Sequence, residues 1–264
     1  MTLLITDQNW TAIESAAGVL PRHIAYGSRE AAAHHLVPVG AFPDKLVPDD
    51  EWKERIAEAH EKRLFPIHRF EAAGVRPKNQ RSTNYCWAYG LASALEDVRL
   101  LEGQSYRRLA PATLGWLVNW RNQGWYLVSA IKGAHEQGIA SSEYAPDGTT
   151  DRRTFKRGWQ ENAKHHRPLE WWDTVGVDSR RRDEREQVRH CVSLLLAGNP
   201  LYIAYNWWSH ALMMAGVEWD ESAKYNLRWI AINSHGDGRI ELTGSRGVPD
   251  EAYAPRSCTF SPGK

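Results

Sequence analysis

The chain of 264 residues is poor in cysteine: it has only Cys86, Cys191 and Cys258, and these lie far apart. An odd number of widely spaced cysteines argues against a disulfide framework and against a paired-cysteine metal knuckle. The histidines also lack ligand spacing with cysteines or carboxylates. We therefore predict no metal site, no cofactor and a reducing compartment.

The sequence also lacks net charge and long apolar runs. Its formal charge is +1, which excludes an overall electrostatic footprint for nucleic acid or an acidic membrane. Runs such as "VSLLLAG" are too short to span a bilayer, and "MTLLITDQNW" lacks the basic and apolar regions of a signal peptide. We expect a soluble protein without signal peptide or transmembrane segment, cytoplasmic or virion-associated.

One segment is rich in charge of both signs. Residues 151–189 hold eleven Lys/Arg and eight Asp/Glu. Such mixed charge is typical of a solvated insertion. Nucleic-acid binding is the weaker alternative, and it would require strongly salt-dependent affinity.

Hydrophobic periodicity divides the chain into a helical part and a strand-rich part. A period of 3.6 residues, with end signals, predicts helices at 48–64, 86–103, 111–120, 126–138 and 183–198. The first of these should bury Trp52, Ile56, Ala59 and Leu64, and 66–80 should be extended. "PLYIAYNWW", "HALMMAGVEW", "LRWIAINS" and "GRIELTG" read as strands. Helices first and strands later indicate an α+β fold.

Cys86 lies in "KNQRSTNYCWAYG", where a predicted helix begins. A helix N-terminus favours the thiolate, the nucleophilic form of cysteine, through its unpaired N–H groups and dipole. The position alone is weak evidence, because free cysteines are commonly buried and inert. A buried, non-catalytic thiol therefore stays open as an alternative.

The flanking residues resemble a known family. "PKNQRSTNYCWAYG" is similar to the active-site signature of the papain-like (C1) cysteine peptidases: Gln, five residues, then Cys-Trp-Ala and an aromatic residue. "NQGWYLVSAIKGAHEQGIASSEYAP", "SHALMMAGVEW" and "LRWIAINSHGDGRIEL" resemble the family's glycine loop and its histidine and asparagine strands. The matches occur in the family's order over residues 66–245.

The resemblance implies a fold and a set of roles. The fold would have a helical subdomain with a central Cys-bearing helix, a β-rich subdomain and an active-site cleft between them. Cys86 would be the nucleophile toward a polypeptide substrate, His210 the base and Asn233 its orienting partner. Gln80 would donate to the oxyanion. Gly124, with Trp125 and Trp208, would line the substrate groove.

Three residues of the same region depart from the family pattern. Thr83 stands where secreted relatives carry a disulfide cysteine, and Trp125 replaces the second glycine of the loop. His235 replaces the tryptophan that shields the Asn–His contact, so this contact should be more polar. The alternatives are His210 as a core histidine, His235 as the base, Asn233 as a turn residue, and the tryptophans as core.

Residues 1–65 precede the matched domain (66–264) as an irregular arm with the helix at 48–64. In the family a pro-segment runs backwards through the groove and blocks it, so the arm is either such a segment or a docking extension. The leading functional hypothesis is a cysteine endopeptidase with an acyl-enzyme intermediate. The alternative is a catalytically weak or inactive structural component of a bacterial or phage assembly, docked to its partner through residues 1–65.

Overall fold

A mixed open sheet and seven helices form the part of the chain that the computed structural model describes, residues 2–13, 18–19, 46–174 and 183–260. The helices are α1 (Trp52–Glu61), α2 (Pro66–Ala72), α3 (Cys86–Leu101), α4 (Pro111–Leu117), α5 (Leu127–Gln137), α6 (Trp159–Ala163) and α7 (Glu184–Leu196). The strands are β1 (Leu3–Ile5), β2 (Pro168–Asp173), β3 (Leu201–Tyr205), β4 (His210–Trp219), β5 (Leu227–Ile232), β6 (Arg239–Leu242) and β7 (Glu251–Cys258). The predicted α+β class is confirmed. None of these helices has the length and apolar character needed to cross a bilayer.

The seven strands follow the order β1-β6-β5-β4-β3-β7-β2, and every pair except β1/β6 is antiparallel. The register of the β4/β5 pair sets Met213 opposite Ile232. Because β4 begins at His210 and Asn233 directly follows β5, antiparallel pairing carries both residues to the same end of the sheet.

The central helix α3 packs against β4 and β7. Its residues 86–99 are all buried, which includes the predicted apolar face and the rest of the circumference. Burying one large apolar side chain such as Trp87 contributes roughly 1.5–3 kcal/mol. At Gly90 the helix comes so close to β4 that an added Cβ would lie 3.0 Å from the carbonyl oxygen of Leu212. Cys86 lies one turn before this contact, beside the start of β4.

Two ion pairs, one buried and one partly buried, join α3 to the segment before it. Arg69 of α2 binds Asp97, and Lys78 binds both oxygens of Glu96 at 2.6 Å. Burial is the larger influence in both pairs: it raises the pKa of Asp97 to about 6 in spite of Arg69, raises the pKa of Glu96 and lowers that of Lys78. The Lys78 pair fixes the chain just before Gln80.

Two predictions in this region were wrong. Residues 66–80 were expected to be extended, but Pro66 begins α2, because proline is well suited to the first turn of a helix, where its missing N–H is not needed. The buried Ile67 and Phe70 give that helix its apolar face. Leu64, expected on the buried face of α1, is exposed because α1 ends at Glu61.

The other predicted helices and strands are present, and sequence reasoning missed β1, β2 and β7. Residues 151–174 contain α6 and β2, so they are more ordered than a plain solvated insertion. Residues 175–182 and most of the arm before residue 46 lie outside the described residues.

The described parts of the arm are docked on the β-rich half. β1 extends the sheet in parallel to β6, and Asp7 accepts hydrogen bonds from the backbone N–H groups of Ser245 and Arg246. The guanidinium of Arg246 lies 3.8 Å from the ring centre of Trp10. Further along the arm, α1 packs on β4.

Candidate active site

The thiol of Cys86 lies at the first residue of α3 and is fully buried. Burial raises its pKa to about 12, although the backbone N–H groups of Ala211, Trp87 and Cys86 itself oppose the shift. The contact with Ala211 is informative, because Ala211 follows His210 on β4. The structure therefore brings the thiol of the helical half to the strand that begins with the predicted base.

The imidazole of His210 is also buried, and its Nε2 lies 2.8 Å from Oδ1 of Asn233. Burial lowers the pKa of His210 to about 3. The hydrogen bond with Asn233 raises this pKa, and the nearby His235 lowers it slightly further. The other ring nitrogen, Nδ1, has no hydrogen-bond partner among the described residues. A neutral imidazole with Nε2–H donated to Asn233 keeps a free lone pair on Nδ1.

The side-chain amide of Asn233 has a partner at each end. Its Oδ1 also accepts the backbone N–H of Ser234 at 2.8 Å, and its Nδ2 donates to Asp237 at 2.9 Å. Sequence reasoning missed Asp237. The signal was a Gly-Asp-Gly turn directly after the asparagine strand, in which Gly236 and Gly238 both have positive φ.

Gln80 connects the loop before α3 to the end of β5. Its backbone N–H donates to the carbonyl of Ser234 at 2.7 Å, and its Oε1 accepts the hydroxyl of Ser234 at 2.5 Å. Its Nε2 donates to the carbonyl of Thr83 at 2.7 Å. An amide nitrogen carries two protons, so one N–H remains for a further acceptor.

Two aromatic rings flank the imidazole of His210. The Trp208 ring is buried and lies 4.5 Å away between centres, while the exposed His235 ring lies 5.0 Å away, tilted by 31°. Trp208 therefore packs against the histidine as part of the core. His235 occupies the outer side of the ring.

The loop before α5 forms an aromatic wall. Trp125 stacks on Trp120 at 5.4 Å and meets the edge of Trp87 at 5.0 Å. The carbonyl of Gly124 accepts the indole N–H of Trp120 at 3.1 Å. The backbone group that this wall offers to an extended chain is therefore the N–H of Trp125, one residue after the glycine singled out in the sequence.

A piece of the arm occupies the space between these elements. The N–H groups of Gly18 and Val19 both donate to the carbonyl of Ser209 at 3.0 Å, and the carbonyl of Gly18 accepts the N–H of Trp125 at 3.2 Å. Val19 and Trp125 form a parallel bridge. Gly18 lies so close to Cys86 that any Cβ at this position would collide with the sulfur. A peptide backbone thus crosses directly over the thiol.

Many solved structures similar to this chain are papain-like cysteine proteases. They include procathepsin L 3 of Tenebrio molitor larval midgut (17% identity, TM-score 0.54, 69% of this chain and 66% of that one). Procathepsin B S9 from Trypanosoma congolense matches at 14% identity and TM-score 0.55 (86% and 83%), and xylellain from Xylella fastidiosa at 16% and 0.51 (71% and 83%). No protein-family model matches the sequence, and no curated protein does. The chain has the papain-like fold, as its sequence motifs predicted, and it spans just under two thirds of the Tenebrio chain.

Proposed function

We propose that the protein is a cysteine peptidase that hydrolyses peptide bonds through Cys86, His210 and Asn233. The observation that carries the proposal is the meeting of a thiol at a helix N-terminus with a strand whose first residue is a histidine bound to an asparagine. This is the nucleophile, base and orienting group that acyl transfer requires. The papain-like fold supports it.

In the proposed reaction Nδ1 of His210 takes the thiol proton, and the sulfur of Cys86 attacks the carbonyl carbon of the scissile bond. The C–N bond breaks, the imidazolium returns the proton to the leaving amine, and a thioester remains. Water, deprotonated by the same imidazole, then cleaves the thioester and releases the acid. Asn233 holds the Nε2–H throughout, so that Nδ1 stays free to accept and return the proton.

The developing oxyanion would be stabilised by two donors, the backbone N–H of Cys86 and the second N–H of Gln80. No metal or other cofactor is needed for these steps. A polypeptide substrate would lie along the track that Gly18 and Val19 follow, between the carbonyl of Ser209 and the N–H of Trp125.

We further infer that the arm blocks this site in the full chain. Gly18 covers the thiol, and a thiol with a pKa of about 12 is almost entirely protonated at neutral pH, so it is a poor nucleophile. The arm acts both as a docking extension, through β1 and α1, and as a plug, through Gly18. Activity would require the plug to leave, with or without cleavage of the chain.

A labelling experiment tests both statements. An epoxide inhibitor directed at catalytic cysteines should label the full chain once and slowly, and Cys86→Ala should abolish the label while Cys258→Ala, at another buried cysteine, should retain it. Gly18→Ala should displace the plug and raise the labelling rate about tenfold or more, because the uncovered thiol ionises more readily. Thr11→Ala, an exposed change in the same arm, should leave the rate unchanged.

The second candidate function is a non-enzymatic, structural component of a larger assembly. The covered thiol is the observation in its favour. If neither the wild type nor Gly18→Ala takes the label, the peptidase proposal is wrong, and isolation of the protein in fixed copy number within a particle would then support the assembly role.

A further inference from the structure

The orientation of the Asn233 amide is controlled by groups of opposite hydrogen-bonding character. Its oxygen end accepts from the backbone of Ser234 and faces His210, while its nitrogen end faces the carboxylate of Asp237. An ionised carboxylate accepts hydrogen bonds and cannot donate them. Asp237 therefore pairs with the NH2 end of the amide and not with its oxygen end.

The orientation decides which nitrogen of His210 carries the proton. With the amide oxygen toward Nε2, the imidazole donates Nε2–H, and Nδ1 has a free lone pair. With the amide reversed, Asn233 would donate to Nε2, the proton would move to Nδ1, and Nδ1 could no longer accept a proton from the thiol. A tautomer error of this kind is damaging in the Ser-His-Asp enzymes, where changing the orienting Asp to Asn lowers kcat by about 10⁴.

We propose that Asp237 is a positioning residue that acts through Asn233 to hold His210 in its Nε2–H tautomer, so that Nδ1 stays available as the base. The statement about the tautomer stands on the hydrogen bonds alone. Its consequence for catalysis rests on the proposed peptidase function.

The backbone of the turn holds Asp237 in place for this role. Asn233 donates its backbone N–H to the carbonyl of Gly238 at 2.7 Å, which closes the turn that carries Asp237. The φ angles of Gly236 (91°) and Gly238 (72°) lie in the left-handed region that glycine tolerates. The N–H of Gly236 also donates to the carbonyl of Lys78 at 3.0 Å, so the turn is tied to the helical half as well.

Two features limit the size of the effect. Asp237 is exposed, so solvent screens its charge. The backbone N–H of Ser234 favours the same amide orientation independently. We therefore expect losses nearer to the 10–100-fold typical of partners one step removed from a working histidine at metal sites than to the loss of a directly bound carboxylate.

His235 offers a second explanation for any effect of Asp237 on catalysis, and the experiment must distinguish it from positioning through Asn233. The carboxylate of Asp237 raises the pKa of His235, although desolvation is the larger influence and lowers it. Asp237 would then act by its charge on this second imidazole. Asp237→Asn distinguishes the two routes, because it removes the charge and retains one acceptor oxygen for the amide of Asn233.

The experiment compares Asp237→Ala and Asp237→Asn with wild type, using Asp50→Ala, at an exposed residue before α1, as a charge-matched control. The first readout is the tautomer of His210 in the full chain at pH 7, from the ¹⁵N shifts of its ring nitrogens. The second is kcat and KM for a peptide, with the pH profile of Cys86 alkylation, in the Gly18→Ala background.

We expect wild type, Asp50→Ala and most Asp237→Asn molecules to be Nε2–H. Asp237→Ala should populate Nδ1–H and lower kcat about tenfold with KM unchanged, while Asp237→Asn stays within about threefold of wild type. Equal losses in both variants would assign the effect to charge and overturn the proposal, as would a pure Nε2–H tautomer with wild-type rates in Asp237→Ala. If Asp237→Ala does not fold, Asp237→Ser replaces it.

The tautomer of His210 also distinguishes a failure of the positioning role from a failure of the peptidase proposal. A tautomer shift in Asp237→Ala, with no peptide cleaved by any form of the protein, would retain the positioning role and reject the peptidase. Full peptidase activity with an unchanged tautomer in Asp237→Ala would support the peptidase proposal and reject the positioning role.

Discussion

The two halves that meet at Cys86 hold their charged groups differently. In the helical half an ion pair against α3 is almost fully buried: the side chains of Lys78 and Glu96 are 3% and 0% exposed. In the strand half, ion pairs form a network on the sheet surface, in which Glu218 binds both Arg228 and Arg239, and these arginines also contact Glu241.

The two halves should therefore lose the geometry of the site in different ways. A buried charge that loses its partner has no water to replace it, whereas a charge in the surface network keeps its hydration. The thiol side should therefore fail by loss of stability. The histidine side, held by the neutral amides of Asn233 and Gln80 and the hydroxyl of Ser234, should fail by loss of orientation while the fold persists.

The largest effect is expected from Lys78→Met, which leaves the buried Glu96 without its ion-pair partner. It should lower the free energy of unfolding by about 3–5 kcal/mol, measured in urea. The double variant Lys78→Met/Glu96→Leu should recover most of this loss, because it removes both charges. A loss below about 1 kcal/mol in the single variant would remove the contrast between the halves.

A second prediction concerns the loss of stability at acidic pH, and it compares the buried His166 with its exposed neighbour His165. Burial, with Arg99 and Arg107 nearby, lowers the pKa of His166 to about 3. Below pH 6.5 this histidine binds a proton in the unfolded chain but not in the folded chain. The free energy of unfolding therefore falls as the pH drops from 6.5 toward 3. The buried imidazole accounts for about 2 kcal/mol of loss between pH 7 and pH 5.

Thermal or urea unfolding at both pH values measures this loss. His166→Leu should lose about 2 kcal/mol less than wild type between pH 7 and pH 5, and His165→Leu should follow wild type. The raised pKa of Asp97 acts in the opposite direction, but it is common to all three proteins and cancels in the comparison. Identical slopes for wild type and His166→Leu would contradict the prediction.

A smaller effect is expected where the two halves are joined by the Ser234 hydroxyl and Gln80. Ser234→Ala leaves Oε1 of Gln80 without its donor, which costs about 1 kcal/mol, or roughly fivefold in the acylation rate if Gln80 serves the oxyanion. Single-turnover acylation of Cys86 by a peptide ester, in the Gly18→Ala background, measures it. Ser222→Ala, in an exposed turn, is the control, and equal rates in both variants would remove Gln80 from the site.

The smallest effect belongs to the surface network. Glu218→Gln removes a charge that two arginines share, yet both arginines retain Glu241 and water. We expect a loss of at most about 1 kcal/mol, reduced further by salt. A loss comparable to that of Lys78→Met would show that the strand half depends on its charges as much as the helical half does.

Local patterns predicted the elements that carry the proposed site. The apolar spacing after Cys86 predicted α3, and the alternating runs predicted β3 to β6, because each pattern reflects burial within one element. Residues 66–80 were misread as extended, since the proline at their start is compatible with both a helix stop and a first turn. β7 was missed because Pro255 interrupts its pattern. Pro255 pairs only with β2, beyond the residues that pair with β3, where a missing N–H is tolerated.

What the sequence could not supply were contacts between distant segments. Gly18 meets Cys86 across 68 positions, and nothing local marks it as the residue over the sulfur. Asp237 lies in an ordinary turn motif, and its role depends on where Asn233 directs its amide. Trp125 was expected to line the substrate groove, but nothing in the sequence indicates that its backbone N–H binds the carbonyl of Gly18.

Gly90 allows the close approach of α3 to β4, the elements that carry Cys86 and His210. Glycine inside a helix is less favourable than alanine by roughly 1 kcal/mol, so the sequence accepts a weaker helix at this point. A methyl group there would lie 3.0 Å from the carbonyl oxygen of Leu212. The helix α3 and the strand β4 would have to move apart by a few tenths of an ångström, one turn from the sulfur. The alanine that would strengthen the helix by itself would therefore shift Cys86 relative to the strand that carries His210.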